Sequence, residues 1–238
     1  MITMKHAASI VAVISLALFA AAFIFFGYRG LYVTARGGNM PVRIKLPAPS
    51  VSGRVSVEEA LAKRRSVRSY ADLPISLADL SQLLWSAQGV TARHSFRTAP
   101  SAGALYPLEV YVAAGNVEGL DPGVYRYNPH AHELALVRGG DARIELARAA
   151  LGQSCVRDGA AVIIIAAIYA RVTVKYHERG VRYVHMEAGH AAQNICLQAC
   201  ALGCGTVVVG AFNDGAVKKA AGMAADEEPL SILPVGRM

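Results

Sequence analysis

The sequence predicts an α+β fold in which helices flank a mixed sheet and one apolar helix precedes the whole. Three observations predict it. Helical and strand-like apolar periodicities alternate after Ser56 without any repeated unit. The run AVIIIAAIY at residues 161–169 suits a strand buried on both faces. Residues 7–26 carry no charge over a length that could cross a hydrocarbon layer. The chain has 238 residues. Without the first 30 or so, about 200 remain, enough for one domain with a sizeable core and too few for a second full one.

Residues 1–30 read as a membrane anchor, because roughly 20 apolar residues at about 1.5 Å rise each span the bilayer core. Ala20, Ala21 and Ala22 offer a signal-peptide cleavage site, but Phe23, Ile24, Phe25 and Phe26 extend the apolar run past it and favour an uncleaved anchor. Lys5 precedes the span, whereas Arg29, Arg36, Arg43 and Lys45 follow it. Positive-inside counting therefore expects a single-pass membrane protein with a cytoplasmic carboxyl-terminal domain. The net charge of +7 is spread along the chain with no aromatic stripe, which argues against nucleic acid and fits anionic headgroups. Cys155, Cys196, Cys200 and Cys204 lack C-x-x-C pairing and read as buried reduced thiols.

Residues 31–55 mix glycine, proline and serine and read as a linker, leaving 56–238 as the domain. Ser56, with Glu59 three positions on, has the form of a capping box for a helix ending near Lys63. A second helix starts at Ser76, with Leu77, Leu80, Leu83 and Leu84 as its apolar face. Residues 108–114 read as a strand, and 124–127 with 134–137 as a hairpin around Asn128-Pro129. Residues 141–151 are helical by pattern, and 161–169 form the expected sheet centre. A core helix over 181–202 places Val184, Ala188, Ala191, Ile195, Ala199 and Leu202 on one face and stops at Gly203. Strands at 206–212 and 230–235 complete the set.

The densest chemistry lies in residues 174–194, VKYHERGVRYVHMEAGHAAQN. Lys175 beside Tyr176 forms a candidate acid/base pair, since an ammonium favours a phenolate next to it, although a solvated lysine beside a half-buried tyrosine gives the same dipeptide. His185 and His190 are five apart, on different faces of a helix, which disfavours a zinc site. Lys63, Arg64, Arg65, Ser66 and Arg68 could hold a phosphate or simply cap a helix carboxyl end. In the proline-bounded loop 100–107, Ser101, Ala102, Gly103 and Ala104 let backbone N–H groups approach a flat ligand, or form an ordinary turn. No G-x-G-x-x-G fingerprint and no GxxxxGK loop occur, which disfavours a Rossmann dehydrogenase.

Taken in order, RRSVRSY, PSAGALYPLEVYV, VKYHERGVRYVHMEAGHAAQN, GCGTVVVGAFND and PLSILPVG resemble the nitroreductase superfamily, and within it the SagB-type dehydrogenases. The resemblance covers most of the chain after Ser56 and not the apolar amino end. It implies a nitroreductase-like α+β fold, bound FMN, a homodimer, and NAD(P)H or an organic molecule as electron donor. It matches Arg64, Arg65, Ser66 and Arg68 to the flavin phosphate and pyrimidine edge, Ser101 to Ala104 to the loop beside the isoalloxazine, and Val209 and Gly210 to the strand end near the flavin. In the branch that oxidises azolines to azoles in peptides, a Lys-Tyr pair is implicated, and Lys175 and Tyr176 fall on it. Glu187, His190, Gln193 and Asn194 then orient the site or stitch the dimer. His177 stands where relatives commonly have a small residue. Arg237 could replace a phosphate-binding arginine found in longer tails.

Overall fold

The computed structural model describes residues 42–92 and 96–238. Its strands in chain order are β1 (Arg43–Lys45), β2 (Ile75–Ser76), β3 (Leu108–Ala114), β4 (Val117–Glu118), β5 (Gly123–Asn128), β6 (Glu133–Gly139), β7 (Ala161–Ala167), β8 (Cys204–Thr206) and β9 (Glu228–Arg237). Seven form one sheet in the order β1-β6-β5-β3-β7-β9-β8, with each neighbouring pair antiparallel. β2 and β4 make a separate parallel pair, so strand pairing as a whole is mixed.

The apolar run at 161–169 has its physical reason in this order. β7 lies inside the sheet between β3 and β9, and all seven of its residues are buried. Side chains alternate across a strand. Ile163 and Ile165 therefore enter one core with Val110 and Val112, while Val162 and Ile164 enter the opposite core with Tyr111 and Ile232. Fully burying each such aliphatic side chain contributes about 1.5–3 kcal/mol.

Helices cover both faces: α1 (Val57–Lys63), α2 (Leu77–Gln88), α3 (Arg143–Ala149), α4 (Ser154–Asp158), α5 (Ala170–Tyr176), α6 (Arg179–Ala201) and α7 (Asp214–Ala221). Leu80, Leu83 and Leu84 of α2 meet Val184 and Ile195 of α6 in the first core, and Leu146, Val156 and Val217 fill the second. The two serine-capped starts form as the sequence indicates. Ser56 Oγ accepts the Glu59 amide at 3.1 Å and Ser76 Oγ accepts the Asp79 amide at 3.0 Å, each satisfying an amide that the helix leaves open.

Other expectations change. The strand expected over 206–212 is only β8, followed by a single bridge from Val209 to Ile232, because the chain leaves the sheet after pairing Thr206 with Val235. The helices α4, α5 and α7 lie outside the expected set. α7 is started by Asn213, whose side chain accepts the Ala216 amide at 2.8 Å. Part of the stretch read as a linker is strand, with Ile44 opposite Leu134, and further along it the Gln82 side chain accepts the Ser50 amide at 2.8 Å and donates to the Ser50 carbonyl at 3.0 Å.

The expectation of a membrane location is corrected. Among the described residues no helix is long and apolar enough to cross a membrane. The longest, α6, has 23 residues and carries Arg179, Arg182 and Glu187. The expected span at residues 7–26 lies outside the described residues.

Candidate functional site

The predicted site residues gather in two clusters. In the first, residues 64–68 leave α1 and run along the edge strand β8. The Val67 amide donates to the Thr206 carbonyl at 3.0 Å, and Ser66 pairs with Thr206 in parallel. Gly205 makes this approach possible, since a Cβ there would lie 2.6 Å from Val67 Cγ1. Arg64, Arg65, Ser66 and Arg68 are thereby held beside the chain that leads to Val209 and Gly210. Val209 is buried and exchanges backbone hydrogen bonds with Ile232 at 2.9 and 3.0 Å, while Gly210 is exposed.

The charges of this cluster fit an anion. Arg65 Nη1 is turned back onto the Ala62 and Arg64 carbonyls, at 2.9 and 2.8 Å. Among the described residues, neither Arg64 nor Arg68 forms an ion pair with a carboxylate. Cations beside an exposed serine hydroxyl, with no acid to neutralise them, suit a phosphate. Arg237 is differently placed. Its Nη2 meets Asp79 Oδ2 at 2.5 Å and its Nη1 donates to the Leu202 carbonyl at 3.3 Å, so it is committed to tying β9 to α2 and α6.

The second cluster joins the loop 101–104 to the end of α5. Gly103 (φ 63°), Ala104 (φ 53°) and Tyr106 (φ 46°) are all left-handed, and the Ser101 hydroxyl accepts the Tyr106 amide at 2.9 Å. Left-handed non-glycine residues cost of order 1–3 kcal/mol each and persist only where surroundings impose them. Arg171 of α5 supplies part of that, donating to the Tyr106 carbonyl at 3.1 Å and to Glu109 Oε1 at 2.6 Å. A Cβ on Gly103 would lie 2.7 Å from the Tyr176 hydroxyl and 3.2 Å from Lys175 Nζ. Both members of the predicted pair therefore stand at the small-residue loop.

Lys175 and Tyr176 close α5 and do not start the long helix. His177, at φ 50° and ψ −141°, breaks the chain between α5 and α6. That positive φ is a backbone conformation that glycine adopts freely and a residue with a side chain rarely does. The Lys175 ammonium is 5.3 Å from the Tyr176 ring centroid. The Tyr183 ring of α6 meets Tyr176 edge-on at 5.2 Å and 85°. Sequence spacing gave no sign of that contact, because the break at His177 removes helical register.

α6 runs from one cluster to the other. Tyr183 packs on Tyr176 near its start, and Cys196 lies in the field of Arg64 near its end. Among the described residues no hydrogen bond or ion pair joins the clusters directly. Asn194 Nδ2 donates to the Ser86 carbonyl at 3.0 Å, fixing α6 to α2, whereas His190 and Gln193 are exposed. Glu187 is buried, and burial pushes its carboxyl up to about 7 against the opposing pull of Ser101, Arg97 and Gln88. A cavity of about 650 Å³ opens beside this helix, lined among others by Gln82, Trp85, Asn194 and Leu197.

Comparison with known proteins agrees with this architecture. The family model described as the nitroreductase family matches residues 61–237. A Methanocaldococcus jannaschii protein assigned to the nitroreductases, MJ1384, is 48% identical over 183 residues, covering 77% of this chain and 91% of that protein. A solved Anabaena variabilis structure with the same assignment superposes with a TM-score of 0.74 at 33% identity, over 83% of this chain and 42% of that one. The Escherichia coli microcin B17-processing protein McbC is 33% identical over 129 residues, 52% of this chain and 47% of its own length.

Proposed function

Because the chain belongs to the nitroreductase family, an oxidoreductase family, we propose that it is an FMN-dependent oxidoreductase passing a hydride through bound flavin to or from a small organic substrate. The flavin, when bound, supplies the ring that accepts and returns the hydride. Arg64, Arg65, Ser66 and Arg68 hold its phosphate and pyrimidine edge. Ser101, Ala102, Gly103 and Ala104 lie beside the ring system, and Val209 and Gly210 border it. NAD(P)H serves as electron donor, and the working form is a homodimer.

One observation carries the catalytic part of this reading: the Tyr176 hydroxyl and Lys175 Nζ both reach the Gly103 position of the small-residue loop. A substrate carbon that gives up or takes a hydride also exchanges a proton, and a positioned phenol can move it. Lys175 stabilises the phenolate that this leaves. The half-buried Tyr176, packed on Tyr183, keeps one orientation. Anaerobic addition of NAD(P)H to the FMN-loaded chain tests the reading. Bleaching of the flavin absorbance, restored by a nitroarene or quinone, is expected, and a flavin that neither nicotinamide reduces would contradict it.

The Lys175-Tyr176 pair also favours a second substrate class. It matches the pair implicated in azoline oxidation, and the similarity to a microcin-processing protein supports a SagB-type dehydrogenase that converts azolines to azoles in a modified peptide. Conversion of a thiazoline-containing peptide by the oxidised protein, followed by mass spectrometry as a loss of two hydrogens, distinguishes it from the small-molecule reading. Retention of flavin without reduction by any donor would instead mark a non-catalytic flavin-binding scaffold.

A further inference from the structure

The Glu109 side chain is shared by two arginines. Its Oε1 accepts Arg171 Nη2 at 2.6 Å, and its Oε2 lies 2.8 Å from Arg126 Nη2 and accepts Arg126 Nε at 3.1 Å. Arg126 Nη2 also lies 3.3 Å from Glu227 Oε1, and Glu227 Oε2 accepts the Tyr111 hydroxyl at 2.6 Å and the Ala224 amide at 3.0 Å. Strand geometry brings these groups together. Tyr111 and Arg126 stand opposite each other in the β3–β5 ladder, and Glu109, two residues before Tyr111, shares its face of β3. Carboxylates and cations therefore alternate from the buried Glu227 out to Arg171 on α5.

The outer end of this line meets the turn 101–106. Arg171 Nη1 donates to the carbonyl of the left-handed Tyr106 at 3.1 Å, and Gly103 in the middle of the turn lies against Lys175 and Tyr176. Arg171 stands on the same helix as that pair, and among the described residues no other side-chain hydrogen bond joins α5 to the turn. A planar guanidinium holds two acceptors in fixed directions, which the ammonium of a lysine, a point charge on a flexible stem, does not. The side chains of Arg171 and Arg126 are 38% and 41% exposed, so their ion pairs add little to global stability. What the Arg171 fork fixes is the geometry between helix and turn.

We propose that Arg171 is a positioning residue: braced by Glu109, it ties the turn 101–106 to α5 and so sets Lys175 and Tyr176 against the small-residue loop. Its effect on turnover rests on the flavin reading, whereas the tie itself does not. Glu109 holds Nη2 and leaves Nη1 aimed at the Tyr106 carbonyl. Arg126 holds Glu109 in turn, so the fork is anchored to β3 and β5.

Two measurements on the full chain test this. Without flavin, amide hydrogen exchange at Ala104 and Tyr106 follows the turn, because their acceptors, the Ser101 carbonyl and the Ser101 hydroxyl, are untouched by a change at residue 171. In Arg171→Lys both amides should exchange about tenfold faster, the worth of one hydrogen bond, while Ile163 and Ile164 in β7 change far less. Wild-type exchange at Ala104 and Tyr106, or equal acceleration in β7, would overturn the proposal. With FMN loaded, kcat for NAD(P)H oxidation by a quinone should fall about 10–100-fold in Arg171→Lys, the scale of a small misplacement. Placed in Tyr176→Phe, the same change should cost almost nothing more, because its effect passes through the phenol. An equal fold-loss in both backgrounds would mark a general structural role and overturn the proposal. If Arg171→Lys does not fold, Glu109→Gln, which withdraws the charged brace and leaves Arg171 its length, is put through both measurements with the same criteria. A looser turn in a chain whose flavin no donor reduces would keep this inference and remove the proposed function.

Discussion

The Tyr176 hydroxyl stands 2.7 Å from the point that a β-carbon on Gly103 would occupy. Residues 73 positions apart in sequence thus meet at the one place in the loop where a side chain is excluded. Gly103→Ala adds about 1–2 kcal/mol of left-handed backbone strain and displaces the phenol. The melting temperature should fall by a few degrees while turnover falls by much more. A melt and a rate measured on the same sample check this, and turnover that survives would mean the phenol is not used.

Removing the phenol oxygen is a cleaner probe. Tyr176→Phe keeps the ring against Tyr183 and should lower kcat by about 10²–10⁴, the usual worth of a positioned acid or base. Bound FMN should be unaffected. Lys175→Gln should cost less, because it removes only the charge that favours the phenolate.

Much of the frame is legible in the sequence, and the reason is local. Ser56 and Ser76 announce helix starts because their side chains cap amides three residues on. The run in β7 reads as a strand because both of its faces are buried. The second cluster is less legible. Its loop and its acid/base pair are each visible as sequences, yet their meeting depends on α5, a helix of 7 residues ended by a non-glycine left-handed His177. No period indicates such a break. Arg97, Gln88 and Glu187 come from three separate segments, and only the fold brings them together. Arg237 looks available in sequence, and its partner Asp79 lies 158 residues away.

That partnership gives a contrast among arginines. Arg237→Met should lower stability by about 1–3 kcal/mol, because it strips Asp79 of a charge-assisted hydrogen bond, and should leave FMN affinity within a few-fold. Arg64→Ala and Arg68→Ala should leave the melting temperature nearly unchanged and weaken FMN at least tenfold. Calorimetry and a flavin fluorescence titration on the three variants separate the roles.

Glu187 predicts a pH dependence of stability. Its folded-state value of about 7 lies above the ordinary 4.5, so the folded chain holds this proton more tightly than the unfolded chain does. The stabilisation is complete below about 4.5 and is lost as pH rises to about 7, a change of about 3 kcal/mol from this group. Glu187→Gln should therefore be more stable than wild type at alkaline pH and nearly equal to it in acid. Urea unfolding at both extremes reads this.

The most direct measurement is the visible spectrum of the purified chain after incubation with FMN and gel filtration. A yellow protein carrying about one FMN per chain and reduced by NAD(P)H is expected, with the colour lost in the Arg64→Ala/Arg68→Ala double variant. A folded chain that emerges colourless, or a double variant that stays as yellow as wild type, would contradict the proposed function.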